Sequence, residues 1–280
     1  MRRLQTAILL CIVLFATALL PNQAAWAKDA LVMGVHPYKP VQELHKMFKP
    51  IADYISQKLG VPVELTFGKS YEDTAEKLGK GEIDFSFLGP TTYAKFSGIY
   101  HLKPLVQIVN NGKPSFDGVI VVKKGSPIKT IKDLKGRSFA FGDRNSTLTH
   151  VVPLYMLMNE GITVRDLGKH AFVGSHDNVA LGIITGMFDA GGLMPDIAKK
   201  YEEQGLVVIV KQPELPEHVF AATKSMNPAT FKKIQDALLT MDPALYKNIK
   251  GSLTALQKFN DKDFDGLRKI LGKVEKDLDK

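Results

Sequence analysis

The chain has 280 residues, 37 Lys+Arg against 29 Asp+Glu, and a formal charge of +8. Hydrophobic residues make up 45% and charged residues 24%, which excludes a disordered or collagen-like chain. The length allows one large or two modest domains.

The first segment reads as a leader. Arg2 and Arg3 precede a nearly unbroken apolar run from Ala7 to Leu20, and Ala25-Trp26-Ala27 fits an A-x-A cleavage site. The pattern predicts a secretory signal peptide over residues 1–27, cut after Ala27. The run is short for a membrane span of about 20 residues. Cys11 lacks the small residue expected just before a lipidated cysteine. Cleavage would leave 253 residues with a charge of +6 and neither Cys nor Trp. Disulfides, thiolate nucleophiles and Cys-ligated metals are then excluded.

Strand and helix patterns alternate from there. A strand is predicted over Ala30–Val35. Val41, Leu44, Phe48, Ile51, Ile55 and Leu59 follow helical spacing, with a kink expected at Pro50 and a stop at Gly60. A strand follows over Val61–Phe67. Ser70 with Asp73 resembles a capping box for a helix over Glu72–Leu78. Ile83, Phe85 and Phe87 alternate in a strand ending at Gly89-Pro90, and a helix starts at Thr91 or Thr92. Further strands are predicted over Leu105–Val109, Val119–Val122, Ser138–Phe141, Ala171–Val173, Phe188–Gly191, Leu206–Val210 and Phe220–Ala222. Helices are predicted over Ile131–Leu134, Thr147–Asn159, Asp177–Thr185 and Asp196–Glu203. The remainder reads as helical, with Asn227-Pro228 as N-cap and first helical residue.

This βα rhythm predicts an α/β fold with mostly parallel sheets flanked by helices. Polar crossovers at Asn110–Asp117 and Lys211–His218 divide it into two lobes, 28–116 plus 219–280 and 117–218. A ligand cleft is expected between them, beyond the carboxyl ends of the strands.

Four strand-to-helix junctions are rich in neutral donors: Lys69-Ser70-Tyr71, Gly89-Pro90-Thr91-Thr92-Tyr93, Asp143 to His150, and Gly174-Ser175-His176-Asp177-Asn178. Hydroxyls or an imidazole beside free N–H groups at a helix start suit an anion. Any one junction is accounted for by N-capping; four at one edge point to a site. Ser146 with His150 or His176 also invites a nucleophile–base reading, but no G-x-S-x-G elbow is present. The seven His show no metal-binding spacing, so neither metal nor cofactor is expected. The lysines are interleaved with acids, which speaks against nucleic acid.

At these junctions the sequence resembles the periplasmic phosphate, phosphite and phosphonate-binding proteins of ABC transporters. The resemblance is carried by Phe48 to Tyr54, Leu59 to Val63, Ser70-Tyr71-Glu72, Gly81 to Phe85 with Leu88-Gly89-Pro90, Asn145-Ser146-Thr147, and Gly174 to Ala180. It implies the two-lobed type II binding-protein fold and a periplasmic location. It also implies an oxyanion site at Ser146, Thr147, His176 and Tyr71, with Thr91 and Phe116 on the cleft wall. The family's N-S-T-S-G continues here as Leu148-Thr149, so one hydroxyl is lost and Thr149 is the candidate replacement. The acid that would meet a ligand amine falls near Glu217-His218, or at Asp196, which favours a compact anion. The expected function is a monomeric receptor that captures a small phosphorus oxyanion for an inner-membrane ABC permease. A sensor input for a membrane kinase, and a Ser/His hydrolase, are the rival readings.

Overall fold

The computed structural model describes residues 29–278, and the leader expected over residues 1–27 lies outside them. In chain order the main elements are β1 Leu31–Val35, α1 Val41–Leu59, β2 Val63–Phe67, α2 Tyr71–Lys80, β3 Phe85–Leu88, α3 Pro90–Tyr100, β4 Lys103–Asn110 and β5 Ser115–Phe116. Next come β6 Val119–Lys123, β7 Ser138–Phe141, α4 Val152–Asn159, β8 Lys169–Phe172, α5 His176–Ile184, β9 Ala190–Leu193, α6 Pro195–Lys200 and β10 Leu206–Lys211. The chain finishes with β11 Leu215–Pro216, β12 Val219–Ala222, α7 Pro228–Leu239, α8 Pro243–Tyr246, β13 Leu253–Gln257 and α9 Asp265–Leu278. No described helix is long and apolar enough to cross a membrane.

Two sheets result. The first has six strands in the order β13-β4-β12-β3-β1-β2, the second five in the order β10-β6-β9-β7-β8. The α/β class holds, but the sheets are mixed rather than mostly parallel. β1 pairs in parallel with β2 and β3, whereas β12 runs antiparallel to both β3 and β4. The second sheet has the same character: β7 is parallel to β8 and β9, and β6 is antiparallel to β9 and β10. The reason is the crossover. A strand that returns from the other sheet enters from the opposite end. The two polar crossovers themselves pair as a short antiparallel ribbon, β5 with β11.

Other differences are local. The segment after Asn227 is not wholly helical, because β13 adds an edge strand to β4. α1 runs through Pro50 and ends on left-handed Gly60. Ser70 caps α2 by accepting from Asp73 N–H at 3.0 Å, but the Asp73 carboxylate reaches back to Lys69 N–H rather than Ser70. The helix predicted over Thr147–Asn159 opens with a π turn over Thr147–Val151. Gly192 is explained by that turn: a Cβ there would lie 2.3 Å from the Leu148 carbonyl oxygen. α9 straddles the two halves, with Glu275 3.8 Å from Lys95 on α3 and Lys273 over the ring of Tyr155 on α4.

Asn227 caps α7 as expected, accepting from Ala229 N–H at 2.8 Å and Thr230 N–H at 3.4 Å. Asn227→Ala is expected to cost about 1 kcal/mol. A lower urea midpoint with an unchanged slope would show it; an unchanged midpoint would mean that water caps the helix equally well.

Candidate functional site

The carboxyl ends of β1, β3 and β7 and the helix starts beyond them meet between the sheets. A small void lies there, lined by Tyr71, Ser146, Thr147, His176, Phe116 and His218 among others. Thus six sequence-predicted residues face one space. None of the described lining side chains is Lys, Arg, Asp or Glu. Thr91 adjoins this space: its N–H donates to Thr147 Oγ1 at 3.1 Å, and that hydroxyl donates to Thr91 Oγ1 at 3.0 Å.

Ser146 caps the π turn, accepting from Thr149 N–H at 3.3 Å, while Val151 N–H donates to Ser146 O at 3.0 Å. The wider i→i+5 turn carries Leu148 into the void lining and takes Thr149 out of it. Thr149 Oγ1 is instead packed against Gly142, buried and without a partner, so it does not stand in for the lost hydroxyl at the cavity wall. Asp196 is exposed and lines an adjoining small void, which shares Tyr38, Phe116, Met194 and His218 with the first.

His176 starts α5 and is 4% exposed. Met194 N–H donates to its Nδ1 at 3.3 Å, which places the ring proton on Nε2. Burial is the main reason its pKa falls to about 3, with a smaller push from His218 and an opposing pull from Asp177. It is therefore a neutral donor at physiological pH. Burial also raises the Tyr71 phenol, reinforced by Asp143 and opposed by Ser146.

His150 faces elsewhere. Its Nδ1 donates to Arg144 O at 2.6 Å, its ring meets Phe141 and Phe172 edge-on, and it lines a different void beside α9. The Ser146–His150 pairing does not form. Nor is His176 a base toward Ser146, because its Nε2 already carries the proton.

Two aromatic residues at the end of β1 escaped the sequence reading. Tyr38 lines both voids. His36 is fully buried between Tyr71, Tyr38 and His218, with ring centroids 4.3, 5.1 and 5.8 Å away. Its Nδ1 donates to Phe87 O at 3.0 Å, and its pKa is pushed down to about 3, chiefly by burial. The available signal was positional: both residues follow a strand whose carboxyl end should face the cleft.

Contacts across the cleft extend beyond the threonine pair. Tyr71 N–H donates to Asp143 Oδ2 at 3.1 Å, Thr92 to Asn145 O at 3.4 Å, and His176 N–H to Tyr38 O at 3.4 Å. The cleft is closed. No group of His, Cys, Asp and Glu among the described residues could hold a metal ion.

Residues 33–269 match the family described as ABC transporter, phosphonate, periplasmic substrate-binding protein. The chain is 26% identical over 235 residues to the phosphonates-binding periplasmic protein of Escherichia coli K12, covering 79% of this chain and 69% of that one. It is 23% identical over 226 residues to the phosphate-import protein PhnD of Mycolicibacterium smegmatis, covering 74% and 70%. Among solved structures, PhnD1 of Prochlorococcus marinus in complex with methylphosphonate superposes with a TM-score of 0.79 at 22% identity, covering 89% of this chain and 99% of that one.

Proposed function

Because the chain belongs to the family of periplasmic phosphonate-binding proteins of ABC transporters, we propose that its cleft captures one compact phosphorus oxyanion through Ser146, Thr147, His176 and Tyr71. The observation that carries this reading is the set of neutral donors reaching one void from both sheets. Two hydroxyls and His176 Nε2–H come from the second sheet's side, and the Tyr71 phenol from the first. Hydrogen bonds from neutral donors to an ionised acceptor are among the strong ones. The void is small, which suits phosphate, phosphite or methylphosphonate, and the structural neighbour from Prochlorococcus marinus holds methylphosphonate.

In this reading residues 28–116 with 219–280 form one lobe and residues 117–218 the other. The β5–β11 ribbon is where they hinge. An oxyanion touching both lobes binds the closed form better and shifts the population toward it. The closed monomer, working in the periplasm after loss of residues 1–27, then delivers its cargo to an inner-membrane permease. Relatives named for import and binding favour a permease over a sensor kinase. The tautomer of His176 speaks against the hydrolase reading.

Thr147→Val tests the assignment. It removes the acceptor for Thr91 N–H and the hydroxyl proton that is held by Thr91 Oγ1 here and would turn to the ligand on binding, and should weaken binding by about 1–3 kcal/mol. Titration calorimetry with phosphate, phosphite, methylphosphonate and sulfate reads this directly. Equal affinity in Thr147→Val and the parent would remove Thr147 from the site. Failure of the parent to bind any of the phosphorus oxyanions would overturn the function.

A further inference from the structure

Three imidazoles surround the cleft, and each is held in a different proton pattern. His36 keeps a proton on Nδ1 for Phe87 O. His176 keeps one on Nε2, because Met194 N–H occupies Nδ1, and a second proton there would face that N–H. His218 is built differently. Its Nδ1 lies 2.8 Å from Oε2 of Glu217, a residue only 1% exposed. A carboxylate accepts from Nδ1–H whether or not Nε2 also carries a proton. Nε2 has no protein partner among the described residues, and the ring lines both voids. Its flat face lies 4.9 Å from the Phe87 ring at 6°, an arrangement that tolerates a cation.

The cleft needs such a group. No Lys or Arg lines the void, and a dianion taken out of water without a counter-charge is costly. Building on the oxyanion reading, we propose that His218 supplies the ligand's counter-charge. An oxyanion oxygen draws one proton from solvent onto Nε2, and the resulting imidazolium sits between the ligand and the Glu217 carboxylate. The Nε2 lone pair forms the new N–H bond, the Nδ1 proton stays in place, and no ligand bond breaks. Dianions draw this proton more strongly than monoanions, so His218 ranks the former above the latter.

The surroundings agree. From β1, His36 stacks on His218 at 5.8 Å and 11°, and burial holds it neutral, so it adds no like charge. Tyr38 and Phe116 bring uncharged rings to 6.3 and 5.3 Å. Tyr71, on the same side and packed on His36, and His176, across the cleft, are both uncharged. Beyond the second void, Asp196 favours the cation, Lys250 opposes it, and Lys39 is paired with Glu43.

The test is nitrogen NMR of the full chain with ¹⁵N-labelled histidine, titrated with methylphosphonate at pH 8. Before ligand, His218 should show one protonated and one bare ring nitrogen. In the complex both should be protonated. The signal is assigned by its loss in His218→Gln, which should also bind roughly ten- to a hundredfold more weakly. If that variant does not fold, calorimetry of the parent in buffers of different ionisation heat gives the proton uptake, expected to approach one per ligand with the fully ionised methylphosphonate of pH 9. A bare Nε2 in the complex, or no uptake at pH 9, would overturn the counter-charge role while leaving the oxyanion site standing. Absence of binding to methylphosphonate, phosphite and phosphate alike would overturn both.

Discussion

Lowering the pH from 7 to 5 without added oxyanion is expected to remove about 5–6 kcal/mol of folding stability. The cause is three buried imidazoles. Burial depresses His36 and His176 to about 3 and His150 to about 4. In the unfolded chain each titrates near its ordinary value, about 6.5. Below that value the unfolded state takes up protons that the native state refuses, so stability falls with pH. The loss begins near pH 6.5 and ends only as pH drops through the folded values of about 4 and about 3. At pH 5 each histidine contributes roughly 2 kcal/mol of this loss. Asp73, Asp133, Asp166, Asp177 and Glu214 are held below their ordinary values, so they add to the loss only at lower pH. Asp143 is raised by burial and acts in the opposite sense. Urea unfolding at both pH values measures the difference. A stability that is level between pH 7 and 5 would mean that the buried rings take up protons without cost.

The parts of the fold that were legible in the sequence are those with local causes. α1 follows from its apolar spacing, and α7 from Asn227-Pro228. β13 was not legible. Leu253-Thr-Ala-Leu-Gln has no clean alternation, and it becomes a strand because β4 offers an open edge, with Leu253 opposite Asn110. The antiparallel entry of β12 likewise depends on where the chain returns from, which no local pattern records. The site divides in the same way. Ser146, Thr147 and His176 were legible because helix starts present their donors predictably. The position of Thr149 was not legible, because the family pattern that makes it a candidate does not record the π turn, which carries its hydroxyl toward Gly142. His36 passed unnoticed because its meaning comes from stacking against His218, far along the chain.

His176→Asn should weaken oxyanion binding by about 2–5 kcal/mol, the usual cost of removing one partner from a buried, charge-assisted hydrogen bond. The choice of Asn separates binding from folding. Its side-chain oxygen falls near the place of Nδ1 and can still accept from Met194 N–H, which now donates at 3.3 Å. What Asn cannot supply is the donor at Nε2. His176→Gln is the complementary change. Its amide nitrogen reaches toward the Nε2 position, so more affinity should survive, while Met194 N–H loses its partner at a stability cost of about 1–3 kcal/mol. The two variants should therefore rank in opposite orders by calorimetric affinity and by urea midpoint. A purely structural His176 would lose affinity only in step with stability, and the Asn variant would then bind as the parent does. Opposite rankings would locate the ligand's oxygen at Nε2, on the side of the ring away from Met194.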